Sequence, residues 1–237
     1  MLSGWRRWRE NALLRRTNAR WLATPEIGKR AAEVLSFDPS AAGLNATVAD
    51  PRSVPGAPEF RSSGWSEHML CRYFLSLEDA RGRTVLDSCC GLGWGSHLVS
   101  GVATRVVGVD LDAPSVAFCR DHWRDANAAH VIGSVLDLPF ADESFDVVLC
   151  MEAIEHFTVD GARRYLGELG RVTRPGGALW GSSAFPDDRG DADRLCARNP
   201  HHLHVFTRGE MKAFVPSVFG TLDLLTPHYF RAHKPGA

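Results

Sequence analysis

Two stretches of this chain hold residues whose types and spacing could do chemistry. In the first, Thr84 to Gly95 (TVLDSCCGLGWG), an apolar run ends in Asp87 and then breaks into glycines at 91, 93 and 95. Glycines so placed let backbone lie against a ligand with no Cβ in the way, and the acid suits a ligand carrying positive charge. The second is Met151 to His156, MEAIEH. If that segment is helical, Glu152, Glu155 and His156 fall at i, i+3 and i+4 on one face. Two carboxylates and an imidazole there make either an acid/base cluster or three ligands for a divalent cation. A histidine-rich stretch downstream, Asn199-Pro200-His201-His202-Leu203-His204, could join them.

Such groups need a scaffold. Val85 and Leu86 read as a buried parallel strand, with Asp87 where it surfaces. Trp94 to Val99 fits a helix after the glycine turn. A second strand, Arg105 to Val109, ends in Asp110, 23 residues after Asp87. Turn, helix, strand and terminal acid form the nucleoside-binding half of a doubly wound sheet, with Asp110 poised for ribose hydroxyls. Further strands are expected at Val131-Ile132, Phe145–Cys150, Ala178–Ser182 and Leu222–Tyr229. Helices are expected at Glu67–Leu77, Ala113–Ala126, Asp160–Gly170 and Arg208–Phe214, with Phe185–Pro200 as a loop. The alternation implies an α/β fold, a mostly parallel sheet with helices on both faces. The chain ends soon afterwards, so an abbreviated last strand is expected.

At 237 residues and 44% hydrophobic content, the chain can bury one α/β core and an appendage. Residues 1–63 read as a basic helix followed by a Pro-rich linker, and 64–237 as the folded domain. Residues 1–30 hold eight Lys/Arg against two Glu, which leaves the remainder at a net −7. A body of that sign, with no interleaving of aromatic and basic residues, argues against a nucleic-acid partner. Residues 1–35 look helical, with Trp5, Trp8, Ala12 and Ala19 near one face. They could lie peripherally on an anionic membrane, pack on the domain, or meet a second subunit. The narrow apolar stripe favours packing. Six cysteines without CxxC spacing read as buried apolar residues in a reducing, cytoplasmic compartment. No run approaches membrane-spanning length, and no apolar core of a secretory signal follows the first arginines. An Arg-rich, acid-poor start also mimics an organellar transit peptide. Oligomeric state is not legible.

A dinucleotide fingerprint wants a third glycine where Ser96 stands, and its pyrophosphate would have to pass Asp87. VLDSCCGLGWG instead resembles the first motif (VLDxGCGxGxG) of the class I S-adenosylmethionine-dependent methyltransferases, with Cys89 in place of the first glycine. The resemblance implies a seven-stranded, Rossmann-like sheet and S-adenosylmethionine as cofactor, its ammonium and sulfonium matching Asp87. It implies that Asp87, Cys89 and the Gly91–Gly93 backbone meet the methionine end. Asp110, with Leu111 beside it, would take the ribose. The stretch GSVLDLPFADESFDVVL is similar to the segment that places adenine; there Ser134 replaces the usual acid and Val135 offers its amide. Met151 is expected against the cofactor, and Arg72, with Tyr73 in an ERY-like segment, is expected to reach the methionine carboxylate.

The ExxEH pattern and the downstream NPxHxxxFT arrangement resemble three groups in the superfamily. These are ubiquinone-pathway O-methyltransferases, metal-dependent small-RNA 2′-O-methyltransferases, and methyltransferases of bacterial glycan pathways. By that resemblance His156, His202 and Glu152 are the expected catalytic residues. Glu152, Glu155, His156 and His202 are the expected ligands of a divalent cation (Mg, Mn or Zn). The function so implied is O-methylation of a sugar or glycan hydroxyl. The alternatives are a phenolic, quinone-precursor or other small-molecule acceptor, and a catalytically silent cofactor-binding scaffold.

Overall fold

The apolar runs become five parallel strands: β1 (Thr84–Ser88), β2 (Arg105–Asp110), β3 (Ala128–Ile132), β4 (Phe145–Met151) and β5 (Thr173–Ser182). Two more, β6 (Asp223–Leu224) and β7 (Tyr229–His233), complete one seven-stranded sheet in the order β3-β2-β1-β4-β5-β7-β6. β7 runs antiparallel to β5, so it starts where β5 ends, with Tyr229 opposite Ser182. The order reverses between β1 and β4, where open α/β sheets leave a crevice at their carboxyl ends. This is a computed structural model, describing residues 2–37 and 65–236, with side chains from Glu10 and Ser66 onward.

Both faces of the central strands are buried, and neighbours along a strand point to opposite faces. Val85, Val106, Val147 and Leu149 pack on one side with Met69, Phe74, Leu98 and Trp123. Leu86, Val107, Val148 and Leu179 pack on the other with Tyr165, Leu166, Phe219 and Phe230. The first face is covered by α3 (Trp65–Phe74), α4 (Leu77–Ala80) and α5 (Trp94–Ser100), with α6 (Ala113–His122) after β2. The second is covered by α7 (Val159–Val172), α9 (Arg208–Phe214) and α10 (Pro216–Phe219), with α8 (Arg189–Arg198) preceding α9. In α7 the buried residues Ala162, Tyr165, Leu166, Leu169 and Val172 form the inward stripe of a 3.6-residue period.

The N-terminal region is two helices, α1 (Leu2–Leu22) and α2 (Pro25–Ser36), where one was expected. Pro25 sits at the first helical position of α2, where its missing N–H is harmless; it cannot continue α1. α2 buries Ile27, Ala31 and Val34 in the same core as Leu98, Val99 and Trp123. α1 buries Leu14 against Cys71 and Tyr229. Packing on the domain is therefore the arrangement of this segment. The side chains of Trp5 and Trp8, and the expected linker apart from Ser36 and Phe37, lie outside the described residues. Among the described residues no helix is long and apolar enough to cross a membrane.

Other local expectations need correction. The region 185–200 contains α8, opened by the Asp188 side chain accepting the Asp191 N–H; only Ala192 in it is buried, so no apolar stripe signals it. Leu222 to Tyr229 is not one strand: β6 has two residues and β7 begins at Tyr229. The helix expected to run to Ala126 ends at His122, and the helix before β1 is split into α3 and α4.

Candidate active site

The glycine turn opens at the carboxyl end of β1. Gly91 and Gly93 take left-handed φ values of 51° and 70°, which glycine adopts without penalty. A Cβ on Gly91 would meet nothing within 4 Å, so the loop faces open space there. Cys89 also has a left-handed φ, 55°, in the position where the family motif has glycine. Gly95 is needed for a different reason: a Cβ there would sit 1.9 Å from Tyr73 Cζ.

Asp87 is fully buried. Its Oδ2 accepts the Ser96 hydroxyl at 2.7 Å, and Oδ1 lies 3.4 Å from the Tyr73 hydroxyl. Burial pushes its pKa up to about 7, against the two hydroxyls and helped by Asp110. None of these influences is a cation. Arg72 is buried too, and the nearest carboxylate among the described residues, Glu152, stands 4.0 Å away. A buried anion with no cation among its influences, and a buried cation whose ion pair with Glu152 is loose at 4.0 Å, fit the ammonium and carboxylate of an amino acid.

Asp110 at the end of β2 is already oriented. Gly91 N–H donates to its Oδ2 at 2.8 Å and Asp112 N–H to its Oδ1 at 3.0 Å. Each carboxylate oxygen keeps a lone pair, as two vicinal hydroxyls require. Leu111 is 69% exposed beside it, and Ile132, its neighbour across the β2–β3 pairing, is 51% exposed. Together they offer an apolar wall to a planar base; Ile132 was not foreseen. The Ser134 hydroxyl accepts the Leu136 N–H at 3.2 Å, which leaves it one lone pair. Val135 beside it is buried, as is Met151 at the end of β4, and Asp137 is exposed.

The ExxEH segment is not an α-helix. Glu152 takes a left-handed φ of 50° and donates its N–H to the Ser182 carbonyl, and only Ile154–His156 form a single 3-10 turn. The expected common face is therefore broken. Glu155, His156 and His202 come together with one ligand atom from each within 4.8 Å of the others, and Glu152 is not among them. His156 Nδ1 is 3.0 Å from the His201 carbonyl oxygen, and the His156 and His202 rings meet edge to face at 5.2 Å. Glu155 is 2% exposed, and its Oε2 has no hydrogen-bond partner among the described residues. Burial, then the neighbouring Glu152, pushes its pKa up to about 8. Burial acts on Glu152 in the same direction, but Arg72 and other neighbours outweigh it and hold that carboxyl below its ordinary value.

A family profile described as a methyltransferase domain matches residues 85–177. Over these residues the chain is similar to the class I methyltransferases. S-adenosylmethionine is the methyl donor of that family, and the buried Asp87 and Arg72, the oriented Asp110 and the open Gly91 turn fit its parts. The chain is 36% identical over 128 residues to a Mycolicibacterium smegmatis protein named "Probable S-adenosylmethionine-dependent methyltransferase", covering 54% of this chain and 48% of that protein. It is 34% identical over 110 residues to the fatty-acid O-methyltransferase of the same organism, covering 46% and 39%. The chain thus spans about half the length, or less, of these curated relatives. Among solved structures, the YcgJ protein of Bacillus subtilis aligns with a TM-score of 0.60 at 23% identity, over 64% of this chain and 69% of that one. This likeness concerns the fold, and the mostly parallel Rossmann-like sheet expected from sequence is the one found.

Sequence reasoning missed a second polar cluster at this end of the sheet. Glu10 of α1 meets His228 at 2.6 Å, and His68 of α3 meets the Tyr229 hydroxyl at 3.0 Å. A partner 218 residues distant leaves no local signal. The only hint is that Glu10 is one of two acids in a basic segment.

Proposed function

We propose that this chain transfers a methyl group from S-adenosylmethionine to an oxygen of a small organic acceptor. The observation that carries the reading is buried Asp87, with no cation among its influences, ahead of the open glycine turn whose loop orients Asp110; buried Arg72, paired only loosely with Glu152 at 4.0 Å, supports it. In this reading Asp87 and Arg72 hold the amino-acid end, Asp110 the ribose, and Leu111, Ile132, Ser134 and Val135 surround the base. The bound donor supplies an electrophilic methyl group; the protein aligns the acceptor with it and removes a proton.

The acceptor we propose first is a sugar or glycan hydroxyl, as the ExxEH and NPxHxxxFT segments suggest. A lipid-borne oxygen is the second reading. A groove of about 430 Å³, lined by Val159, Phe206, Ala213 and Phe214 with Arg163, His204 and Glu210 at its polar positions, supports it. One of its lining residues, His204, lies two positions after His202 in the chain, and one curated relative is named for fatty acids. Glu155, His156 and His202 would hold a divalent cation, to which the unpartnered Glu155 Oε2 is suited. Such an ion would lower the pKa of an acceptor hydroxyl.

The test is transfer of labelled methyl from S-adenosylmethionine to methyl glycosides and to hydroxylated or free fatty acids, with and without EDTA. Label on a glycoside supports the first reading, and label on a lipid supports the second. Donor binding without transfer to any acceptor favours a scaffold. Undiminished transfer in EDTA removes the cation.

A further inference from the structure

His228 stands at the rim where β4, β5 and β7 end together. Its carbonyl accepts the Ser183 N–H at 3.0 Å, while the preceding residue, Ser182, accepts the Glu152 N–H at 2.9 Å. The end of β5 thus pins His228 on one side and Glu152 on the other. His228 Nδ1 lies 2.6 Å from Glu10 Oε1, contributed by α1. The Glu10 side chain is 9% exposed, whereas the imidazole is 45% exposed. Burial acts to raise the Glu10 pKa, but the hydrogen bond and charge of His228 outweigh it and hold the carboxyl below its ordinary value. An ionised carboxylate only accepts, so Nδ1 carries the proton and Nε2 of the neutral ring keeps its lone pair.

We propose that His228, oriented by Glu10 of the N-terminal helix, takes the acceptor's proton during methyl transfer. This rests on the methyltransferase reading above. The acceptor oxygen bonds to the methyl carbon as the carbon–sulfur bond breaks, and that bonding pair stays on sulfur. The hydroxyl proton passes to His228 Nε2. Positive charge thereby moves from the sulfonium to an imidazolium that Glu10 contacts. Glu10 is a positioning residue, and it makes α1 part of the active site.

The groups facing His228 are Glu10 from α1, His68 and Arg72 from α3, Tyr229 beside it and Glu152 across the β5 end. Burial and Arg72 disfavour the imidazolium; Glu10 and Glu152 favour it and prevail, so the His228 pKa is raised. Neutral, proton-accepting imidazole accordingly accumulates as pH climbs through that raised value, and turnover climbs with it.

The experiment uses the full chain with His228→Ala, His228→Gln and Glu10→Gln. It measures S-adenosylmethionine binding by calorimetry, methylation of the best acceptor from the panel above, and imidazole titration by NMR. His228→Ala and His228→Gln should bind the donor as the parent does while turnover falls about 10²–10⁴-fold. Glu10→Gln should slow turnover less, and should move both the acid limb of the rate profile and the His228 titration to lower pH. Parental turnover in both His228 variants with donor binding intact overturns the proposal alone, as does a His228 titration unmoved by Glu10→Gln. A parent protein that binds no donor overturns the methyltransferase reading and this proposal with it.

Discussion

Replacing Asp87 by Asn should stabilise the empty protein while removing its affinity for the donor. Asp87 is fully buried, hydrogen-bonded only to neutral groups, the Ser96 and Tyr73 hydroxyls and the Ser96 backbone, and its pKa is raised from 3.8 to about 7. Folding therefore raises this acid's pKa, so at neutral pH the ionised carboxylate destabilises the fold. The penalty grows as pH rises from 3.8 and levels off above about 7. Three pKa units correspond to roughly 4 kcal/mol at pH 8. In a chain of this size that is on the order of 10 °C in Tm. Asparagine is uncharged, so the advantage of Asp87→Asn should shrink below pH 7 and be nearly gone at pH 4. Donor binding should behave in the opposite way. An ammonium beside Asp87 returns its pKa toward the ordinary range, so parental affinity should fall about 100-fold between pH 8 and pH 5. The variant should lack that dependence and bind weakly throughout. The assays are scanning calorimetry and isothermal titration across pH 4–8. If Asp87→Asn changes Tm equally at pH 8 and pH 4, or binds the donor like the parent, the charge argument is wrong.

Two further substitutions test how the site is held. Gly95→Ala places a Cβ on the Tyr73 ring, 1.9 Å from Cζ, and Tyr73 also packs edge-on against Trp94 at 4.8 Å. We expect about 1–3 kcal/mol of destabilisation in urea unfolding, with weaker donor binding as Tyr73 leaves Asp87; unchanged values would mean that the ring moves freely. Arg30 of α2 bonds Asp125, Glu26, the His97 carbonyl and Ser100, and Asp125 in turn bonds His97 at 2.8 Å. Burial opposes the Asp125 charge, yet His97 and Arg30 lower its pKa to about 2. Arg30→Ala should cost on the order of 3 kcal/mol at pH 7. Because a depressed acid pKa stabilises only above the unfolded value, that deficit should narrow as pH falls from 4 to 2. A deficit independent of pH would remove Asp125 as its cause.

The sheet and the glycine turn were legible because their determinants are local. A strand buried on both faces reads as a continuous apolar run, and an acid ending such a run before left-handed glycines has few structural uses other than ligand binding. Asp87, Gly91, Gly93 and Asp110 therefore stand where their spacing put them. The helical reading of the ExxEH segment failed for the converse reason. Glu152, Glu155 and His156 share a face only if the backbone is helical, and a hydrogen bond from Glu152 N–H to Ser182, 30 residues on, turns the chain instead. α8 escaped notice because one buried residue makes no stripe.

Apolar runs and their alternation thus determined the class of fold, and the glycine turn between Asp87 and Asp110 marked the crevice we propose for the donor. Tertiary structure decided which side chains face that crevice from elsewhere. It folded α1 and α2 onto the domain, set Glu10 against His228, and gathered Glu155, His156 and His202 without Glu152. Periodicity reports which face of an element is buried, whereas polar partners drawn from distant segments are matched only when the packed core brings those segments to one rim.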